Sequence, residues 1–394
     1  MNKRMKMGIG AIMCFFSLMS LNAQQADTLF TNYCMFLEKQ QTSAKDYVIG
    51  LFDKYDIVVL CERDHREWTQ YDLILDIVGD ERFVKKVGNI YTEIGNVHHN
   101  EDLNAFLHDE KLSAKEVDER TMELHRNAYG AGMWEKANYS YLLKGIHQVN
   151  KQLPEEKKLS LFNLDIGIKD WKTATIAEIR LRDSLMSQRD SILADNFLHI
   201  FPKQKSGKAL VVLNFRHAFL CDIFGRVNAG RFLAEAFPGK VANVLVSSFA
   251  LVNDAQNPMK AIADGRWDAS FLKTEKPDVG FHLHGSPFGS TPFDFIPIPN
   301  NYKYEDFFTG MVYYGYFFDY RTVSGMKGFV DETFLPELMR RYKIDHEASG
   351  RSDLPNPEEL MKYYNTVVDI RYKDDPILQK AIQQIQTVLK HNTH

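Results

Sequence analysis

Short apolar runs alternate with longer amphipathic segments along the chain, and this alternation constrains the fold more than any other feature. Apolar runs without polar alternation are typical of strands buried on both faces, as in a parallel sheet covered by helices. The sequence therefore predicts an α/β fold, a three-layer arrangement with a mostly parallel central sheet and helices on both faces. The predicted strands are 56–61, 87–95, 159–166, 209–215, 241–249 and 310–319, and the predicted helices are 67–78, 101–108, 134–152, 173–199 and 227–236.

Residues 1–23 have a different character and predict an export signal. Three basic residues, Lys3, Arg4 and Lys6, precede an apolar run from Ile9 to Leu21, and small and polar residues follow around Ala23. The run is shorter than the about 20 residues that a membrane span needs. We therefore expect cleavage near Ala23, export to the periplasm or the cell exterior, and no stable membrane span.

The remaining residues, 24–394, are predicted to form a single α/β domain. Beyond residue 330 the sequence predicts a helical C-terminal extension, 330–394, with helices at 355–366 and 375–390. The segment 281–301 is rich in Gly and Pro and is predicted to be a long loop, of the kind that forms lids or binding walls.

Composition and missing motifs exclude several function classes. A net charge of -4 and a pI near 6.4 do not favour a nucleic-acid surface, so the expected partner is a small molecule. No G-x-S-x-G motif and no Gly-rich phosphate loop is present, which argues against a serine-hydrolase elbow and a dinucleotide site. Three cysteines after the signal are too few for a disulfide framework, and Cys61 is predicted to be a small buried residue.

Polar side chains follow four of the predicted strands. In open parallel sheets, ligands bind beyond the carboxyl ends of the strands. If the four strands are neighbours, their terminal side chains converge on one rim. These side chains are Glu62 and His65 after the first strand, Glu93 after the second, Asp165 after the third, and Arg216 and His217 after the fourth.

The stretch Glu62-Arg63-Asp64-His65 suits two kinds of chemistry. A carboxylate beside an imidazole fixes its tautomer and raises its basicity, as in a general base that activates water. Two histidines and two carboxylates equally suit a divalent metal, with Glu62, His65, Glu93 and His217 as candidate ligands. The alternative without a catalytic role is a solvated turn in which Asp64 caps the next helix.

The other candidates also have structural alternatives. His217 is as consistent with a hydrogen-bonded structural histidine, and Glu93 with an ion pair to Arg189 or Arg216. The pair 98–99 suits a surface loop. His282 and His284 are two apart, so in a strand they would face one side, as in a metal site; in a loop they would form a substrate wall.

The ordered motifs resemble the erythromycin esterase-like proteins, a superfamily that also takes in Tiki-type metalloproteases and ChaN-type haem-binding proteins. The usual G-E-x-x-H reads Cys61-Glu62-Arg63-Asp64-His65 here, and the glutamate that ends the second strand is Glu93. Further similar segments are 133–152, 161–166 with Asp165, 189–200 with Arg189, Asp190, Ala194 and Asn196, 211–219, and 226–249. The resemblance covers about residues 50–320.

Two departures from the family pattern concern the site itself. Cys61 stands where the family has Gly, which narrows the approach of the backbone to a ligand. The N-x-H turn is lengthened to Asn214-Phe215-Arg216-His217, which adds a bulky ring and a positive charge. Both changes are compatible with an altered substrate or with loss of catalysis.

The resemblance implies hydrolysis of an ester, lactone or amide bond by activated water. It implies His65 as general base, Glu62 and Glu93 as residues that orient it or the water, and His217 as an assisting residue, with a divalent metal as an optional cofactor. Arg216 would stabilise the oxyanion, and Asp165, His282 and His284 would join it in binding substrate. The alternatives are a ChaN-type protein for haem or another hydrophobic ligand, suggested by the aromatic segment 306–320, and an inactive member.

Overall fold

The computed structural model describes residues 28–128, 136–204, 206–223, 225, 227–255, 258–298 and 302–392. The predicted export signal lies outside these ranges and stays a prediction. Within the described ranges, no helix combines the length and the apolar character that a membrane crossing requires.

A seven-stranded sheet lies at the centre of the fold, in the order β3-β2-β4-β1-β5-β9-β8. All neighbouring pairs are parallel except β8 with β9, which is antiparallel. Two small antiparallel pairs, β6 with β7 and β10 with β11, lie outside it. The strands are β1 (Ile57–Glu62), β2 (Asn89–Asn96), β3 (Ser160–Asp165), β4 (Ala209–Asn214), β5 (Val241–Val246), β6 (Phe249–Leu251), β7 (Met259–Ala261), β8 (Asp278–His282), β9 (Gly310–Tyr314), β10 (Arg321–Ser324) and β11 (Val368–Arg371).

Helices cover both faces of this sheet, as predicted. One face packs against α1, α9, α10 and α11, and the other against α2 to α7. The helices are α1 (28–37), α2 (Ala44–Leu51), α3 (Thr69–Val78), α4 (Glu81–Lys86), α5 (Asn100–His108), α6 (Ala114–Ala128), α7 (Lys136–Asn150), α8 (Ile176–Leu185), α9 (Arg189–Ile200), α10 (Ala229–Ala236), α11 (Arg266–Lys273), α12 (Tyr304–Phe307), α13 (Leu335–Ser349), α14 (Pro357–Asn365) and α15 (Gln379–His391).

The central strand β1 shows why its sequence is apolar throughout. Ile57, Val59 and Cys61 belong to the core on one face, and Val58 and Leu60 belong to the core on the other. Successive side chains of a strand point to opposite faces, so a strand covered on both sides needs apolar residues at every position. The prediction that Cys61 is a small buried residue is confirmed.

Two predicted elements have wrong extents, and the helical C-terminal extension is confirmed with one addition. The segment 281–301 is not loop throughout, because its first residues complete β8. The helix predicted over 173–199 is two helices, separated by a short 3₁₀ turn at Met186–Gln188. The C-terminal extension also contains a strand, β11, which pairs with β10.

The C-terminal segment contacts the loop between β1 and α3. The backbone amide of Trp68 donates to the carbonyl of Arg321 at 2.8 Å, and the amide of Val323 donates to the carbonyl of Arg66 at 2.8 Å. Strand β10 is in turn paired with β11. The loop that carries His65 is therefore held by residues from a distant part of the sequence.

Candidate active site

The carboxyl ends of β1, β2, β3 and β4 meet at one edge of the sheet, as the sequence predicts. In the parallel register, Glu62 at the end of β1 lies beside Asn214 at the end of β4. Glu93 lies in β2, where its Oε1 accepts the backbone amide of Asn214 at 2.5 Å. Asp165 is the last residue of β3. Strand order and register thus bring four side chains to a common rim.

Glu62 and His65 are in direct contact at this rim. His65 Nδ1 lies against Glu62 Oε1, and the imidazole is one-fifth exposed whereas the carboxylate is buried. Glu62 Oε2 has no hydrogen-bond partner among the described residues. The alternative of a solvated turn is wrong, because Glu62, Arg63 and Glu67 are all buried.

The two groups shift each other's proton affinity. Burial raises the pKa of Glu62, and the neighbouring His65 only partly opposes this. Burial acts to lower the pKa of His65, but Glu62, followed by Glu93 and Asp64, outweighs it and raises that pKa to about 9. His65 therefore carries a proton at neutral pH when no cation is bound.

Glu93 completes a three-residue cluster. One oxygen of Glu62, one of Glu93 and one ring nitrogen of His65 all lie within 4.8 Å of one another. This is the spacing of ligands around a single divalent cation. Burial acts to raise the pKa of Glu93, but His217, Arg189 and His65 outweigh it and hold that pKa below its ordinary range.

Arg189, the first residue of α9, connects the ends of β2 and β3. Its Nη2 pairs with Glu93 Oε2 at 2.9 Å, and its Nε donates to Asp165 Oδ2 at 2.9 Å. Burial raises the pKa of Asp165, and Arg189 opposes this. The sequence offered Arg189 or Arg216 as a partner for Glu93, and the structure selects Arg189.

His217 lies behind Arg189 on the 3₁₀ turn Phe215–Ala218. Its Nδ1 lies 2.6 Å from Asp190 Oδ1, and its Nε2 lies 3.0 Å from Arg189 Nη1. A guanidinium can only donate, so Nε2 accepts and Nδ1 carries the proton that is donated to Asp190. The Nε2 lone pair of His217 is thus occupied by Arg189.

Arg216 occupies the outer side of the rim. Its Nη1 donates to Asp190 Oδ2 at 2.6 Å and to Asn228 Oδ1 at 3.2 Å, and one-third of the side chain is exposed. Burial acts to raise the pKa of Asp190, but the bonds from His217 and Arg216 lower it to about 2.

The site contains more acidic than basic groups. Four carboxyl groups, those of Glu62, Glu93, Asp165 and Asp190, face two guanidinium groups, those of Arg189 and Arg216. Counted over these six groups alone, two negative charges remain. The proton on His65 balances one of them, whereas a divalent cation would balance both.

His282 and His284 do not join this rim. Strand β8 runs antiparallel to β9, and His282 pairs with Gly310 at the start of β9. Its carboxyl end therefore lies at the opposite edge of the sheet, where His282 Nδ1 contacts the Tyr47 hydroxyl at 3.1 Å and His284 is almost fully exposed. Neither histidine therefore contacts Asp165 or Arg216, the two residues with which the sequence grouped them as substrate-binding residues.

The aromatic segment that suggested a haem site is core. Phe307, Phe308, Tyr313, Phe317 and Tyr320 are all buried. Phe307 stacks on Phe293 with the ring centroids 3.9 Å apart. These rings fill the interior, although Phe307 and Phe308 also border a cavity of about 450 Å³ beside His282 and His284.

The sequence signal for Arg189 and Asp190 was present but was not assigned to the site. Both residues were noted as landmarks of a family helix, and Arg189 also as a structural partner of Glu93. The break at Met186–Gln188 makes them the first turn of a separate helix, α9. The adjacent charged residues Arg189 and Asp190, which directly follow the break, would have been the local clue.

Comparisons with known proteins give likenesses in structure alone. No family model matches the sequence, and no curated protein matches it. Among solved structures, the chain is similar to a succinoglycan biosynthesis protein, with a TM-score of 0.49 and 10% identity over 73% of this chain and 97% of that chain.

Two other similar structures belong to groups that the motifs resemble. One is a mutant of the erythromycin esterase EreC in its open conformation, with a TM-score of 0.44 and 11% identity over 68% of this chain and 92% of that chain. The other is ChaN of Campylobacter jejuni with cofacial haem, with a TM-score of 0.36 and 13% identity over 53% of this chain and 88% of that chain. At these values the likenesses support no conclusion about substrate or cofactor.

Proposed function

We propose that the protein is an exported hydrolase that cleaves an ester, lactone or amide bond with water activated at Glu62, His65 and Glu93. The observation that carries the proposal is the buried cluster of these three residues, whose ligand atoms lie within 4.8 Å of one another at the carboxyl edge of the sheet. Perturbed acidic groups at such an edge are typical of catalytic sites.

Glu62 is the residue that we assign to water activation when no cation is present. Its Oε2 has no hydrogen-bond partner among the described residues, and burial raises its pKa. A raised pKa makes a carboxylate a stronger base. His65 already holds a proton at neutral pH, so it acts as a donor to the oxyanion or leaving group and not as the general base that the motif suggested.

The remaining charged groups have supporting roles. Arg189 holds Glu93 in place through its Nη2. The lone pair of His217 is occupied by Arg189, so His217 orients that guanidinium and accepts no proton from water. Arg216 is more exposed at the rim than Arg189, and we assign it to the oxyanion.

The three residues also fit a divalent cation. Glu62 and Glu93 offer oxygens and His65 offers a ring nitrogen, and the lone Glu62 Oε2 and the excess of two negative charges are what a cation would satisfy. A cation held there would supply the positive charge that makes water acidic enough to attack at neutral pH. Three protein ligands would leave positions open for water and substrate.

Hydrolysis of a panel of aryl esters, lactones and amides by the purified protein tests the proposal. Glu62→Gln and His65→Ala should lower kcat by about 100-fold or more, since removal of an acid or base group typically costs this much. His284→Ala, a histidine at the other edge of the sheet, is the matched control and should retain full activity. Hydrolysis that survives Glu62→Gln would contradict the proposal, as would a folded wild type that turns over no substrate in the panel.

A further inference from the structure

Arg63 lies between Glu62 and His65 in sequence, yet its side chain is fully buried. An arginine is rarely buried unless its charge and its donors are all satisfied. Its guanidinium stacks on the ring of Tyr320 at 3.7 Å. Its backbone amide donates to Gln70 Oε1 at 2.6 Å.

The side chain of Arg63 extends away from the cluster, toward the neighbouring strands. Its Nε donates to the carbonyl of Ser247, directly after β5, and its Nη2 donates to the carbonyl of Tyr314, the last residue of β9. Backbone carbonyls that are buried at the ends of strands need a donor of this kind. Arg63 thus connects the end of β1 by hydrogen bonds to the ends of β5 and β9.

Glu67 balances the charge of Arg63 and organises the start of α3. Arg63 Nη1 pairs with Glu67 Oε2 at 2.8 Å, and both side chains are fully buried. The same carboxylate accepts the backbone amides of Thr69 and Gln70 at 2.8 and 2.9 Å. Glu67, and not Asp64 as the sequence suggested, therefore satisfies the first amides of the helix.

The residues between the two partners are held by further hydrogen bonds. Gln70 Nε2 donates to the carbonyl of Asp64 at 2.8 Å, and Asn138 Nδ2 donates to the carbonyl of His65 at 3.0 Å. We propose that Arg63 and Glu67 are a buried positioning pair that holds Glu62 and His65 in register with Glu93. This inference rests on the proposed function only for its kinetic readout.

The double variant Arg63→Met/Glu67→Gln tests the proposal because it removes both charges together. Breaking one partner of a buried pair leaves an uncompensated charge, whereas removing both is often close to neutral for folding, and the Glu67→Gln change keeps a side-chain oxygen for the helix amides. We expect kcat to fall by about 100-fold with KM changed less than about threefold, since small misplacements of catalytic groups have effects of that size. Amide hydrogen exchange over residues 62–68 should become at least about tenfold faster, while that of β1 and β5 before their last residues stays unchanged.

A second arginine–glutamate pair, also four residues apart, provides the matched control. Arg341 Nε donates to Glu337 Oε1 at 2.8 Å in α13, away from the rim. Glu337→Gln/Arg341→Met should leave kcat, and exchange over 62–68, at wild-type values. If both double variants lower kcat equally at equal stability, the role of Arg63 is merely structural and the proposal is overturned.

Two further results separate this proposal from the proposed function. Should the wild type hydrolyse nothing, the exchange measurement alone decides, and unchanged exchange over 62–68 in the Arg63 double variant overturns the positioning role. Should that variant fail to fold, Arg63→Lys replaces it, because lysine keeps the charge and one bond to Glu67. Arg63→Lys should then lose about tenfold in kcat, and full kcat in this variant would contradict the proposal.

Discussion

Arg189 stands between His217 and Glu93, with Nη1 3.0 Å from His217 Nε2 and Nη2 2.9 Å from Glu93 Oε2. The two residues that the motifs nominated as catalytic partners are therefore joined through a third that donates to both. His217 Nε2 and Glu93 Oε2 are 3.8 Å apart. His217 Nε2 therefore accepts a hydrogen bond from Arg189. The position of the proton on the His217 ring can be measured.

The tautomer of His217 is the first prediction. Nitrogen NMR of labelled protein at pH 7 should show His217 neutral with the proton on Nδ1, because Arg189 can only donate to Nε2. In Arg189→Met the signal of Nε2 should lose the shift that the hydrogen bond causes. A proton on Nε2 in the wild type would contradict the arrangement.

Removal of Arg189 should also destabilise the fold. Arg189→Met leaves Glu93 and Asp165 buried without their cation, so the free energy of unfolding should fall by about 3–5 kcal/mol. Urea unfolding measures this. Arg182, which pairs with Asp183 and Asp345 in a more exposed setting, is the control, and Arg182→Met should cost no more than about 1 kcal/mol. Equal losses for the two variants would argue against the Arg189 network.

The pattern of apolar runs was enough to predict the parallel strands and the rim. A strand buried on both faces can be recognised from its own continuous apolar run. In a parallel sheet the carboxyl ends of such strands share one edge. Glu62 and Glu93 therefore met as expected. Strand β8 was not predicted, because the Gly- and Pro-rich segment 281–301 indicated a loop, and the antiparallel direction of β8 depends on its pairing with β9. His282 was therefore grouped with the substrate-binding residues, although it lies at the opposite edge of the sheet.

The partners of each rim residue could not be predicted, because they come from distant segments. Arg63 and Glu67 looked like part of a charged turn, and the burial of Arg63 depends on carbonyls at Ser247 and Tyr314. Arg189 looked like one residue of a long helix until the break before it placed it at the rim. Tertiary contacts of this kind override the local tendency of charged residues to face solvent.

A pH dependence of stability is expected from Asp268. This carboxyl is buried, its Oδ1 accepts from the Tyr313 hydroxyl at 3.1 Å, and burial raises its pKa to about 7 against the effects of Tyr313 and Arg63. Between about pH 4 and 7 the folded protein keeps a proton that the unfolded chain has released. The contribution of Asp268 to stability therefore falls as pH rises through this window, by at most about 1.4 kcal/mol per pH unit.

Two variants of this carboxyl's environment check that sign. The Asp268→Asn side chain has no proton to lose. In urea unfolding, the free energy of unfolding of this variant relative to the wild type should therefore rise from about pH 4 to 7 and stay constant above pH 7. Tyr313→Phe removes a bond that opposes the raised pKa, so its decline in stability should continue above about pH 7. Parallel stability curves for wild type and Asp268→Asn would show that Asp268 does not titrate in this range.

A single divalent cation per chain is the last prediction, and it follows from the excess of two negative charges at the rim. Elemental analysis of the purified protein should find close to one cation, lost in His65→Ala and in Glu62→Gln but kept in the control His284→Ala. Because the cation binds the folded chain, a chelator should lower the unfolding midpoint, with a free-energy change of about 2.7 kcal/mol if the cation is at about 100 times its Kd. An unchanged midpoint and no cation in the wild type would contradict this prediction and leave the excess charge at the rim partly balanced by the proton on His65. Hydrolysis would then be insensitive to chelators and would depend on Glu62 alone as the base.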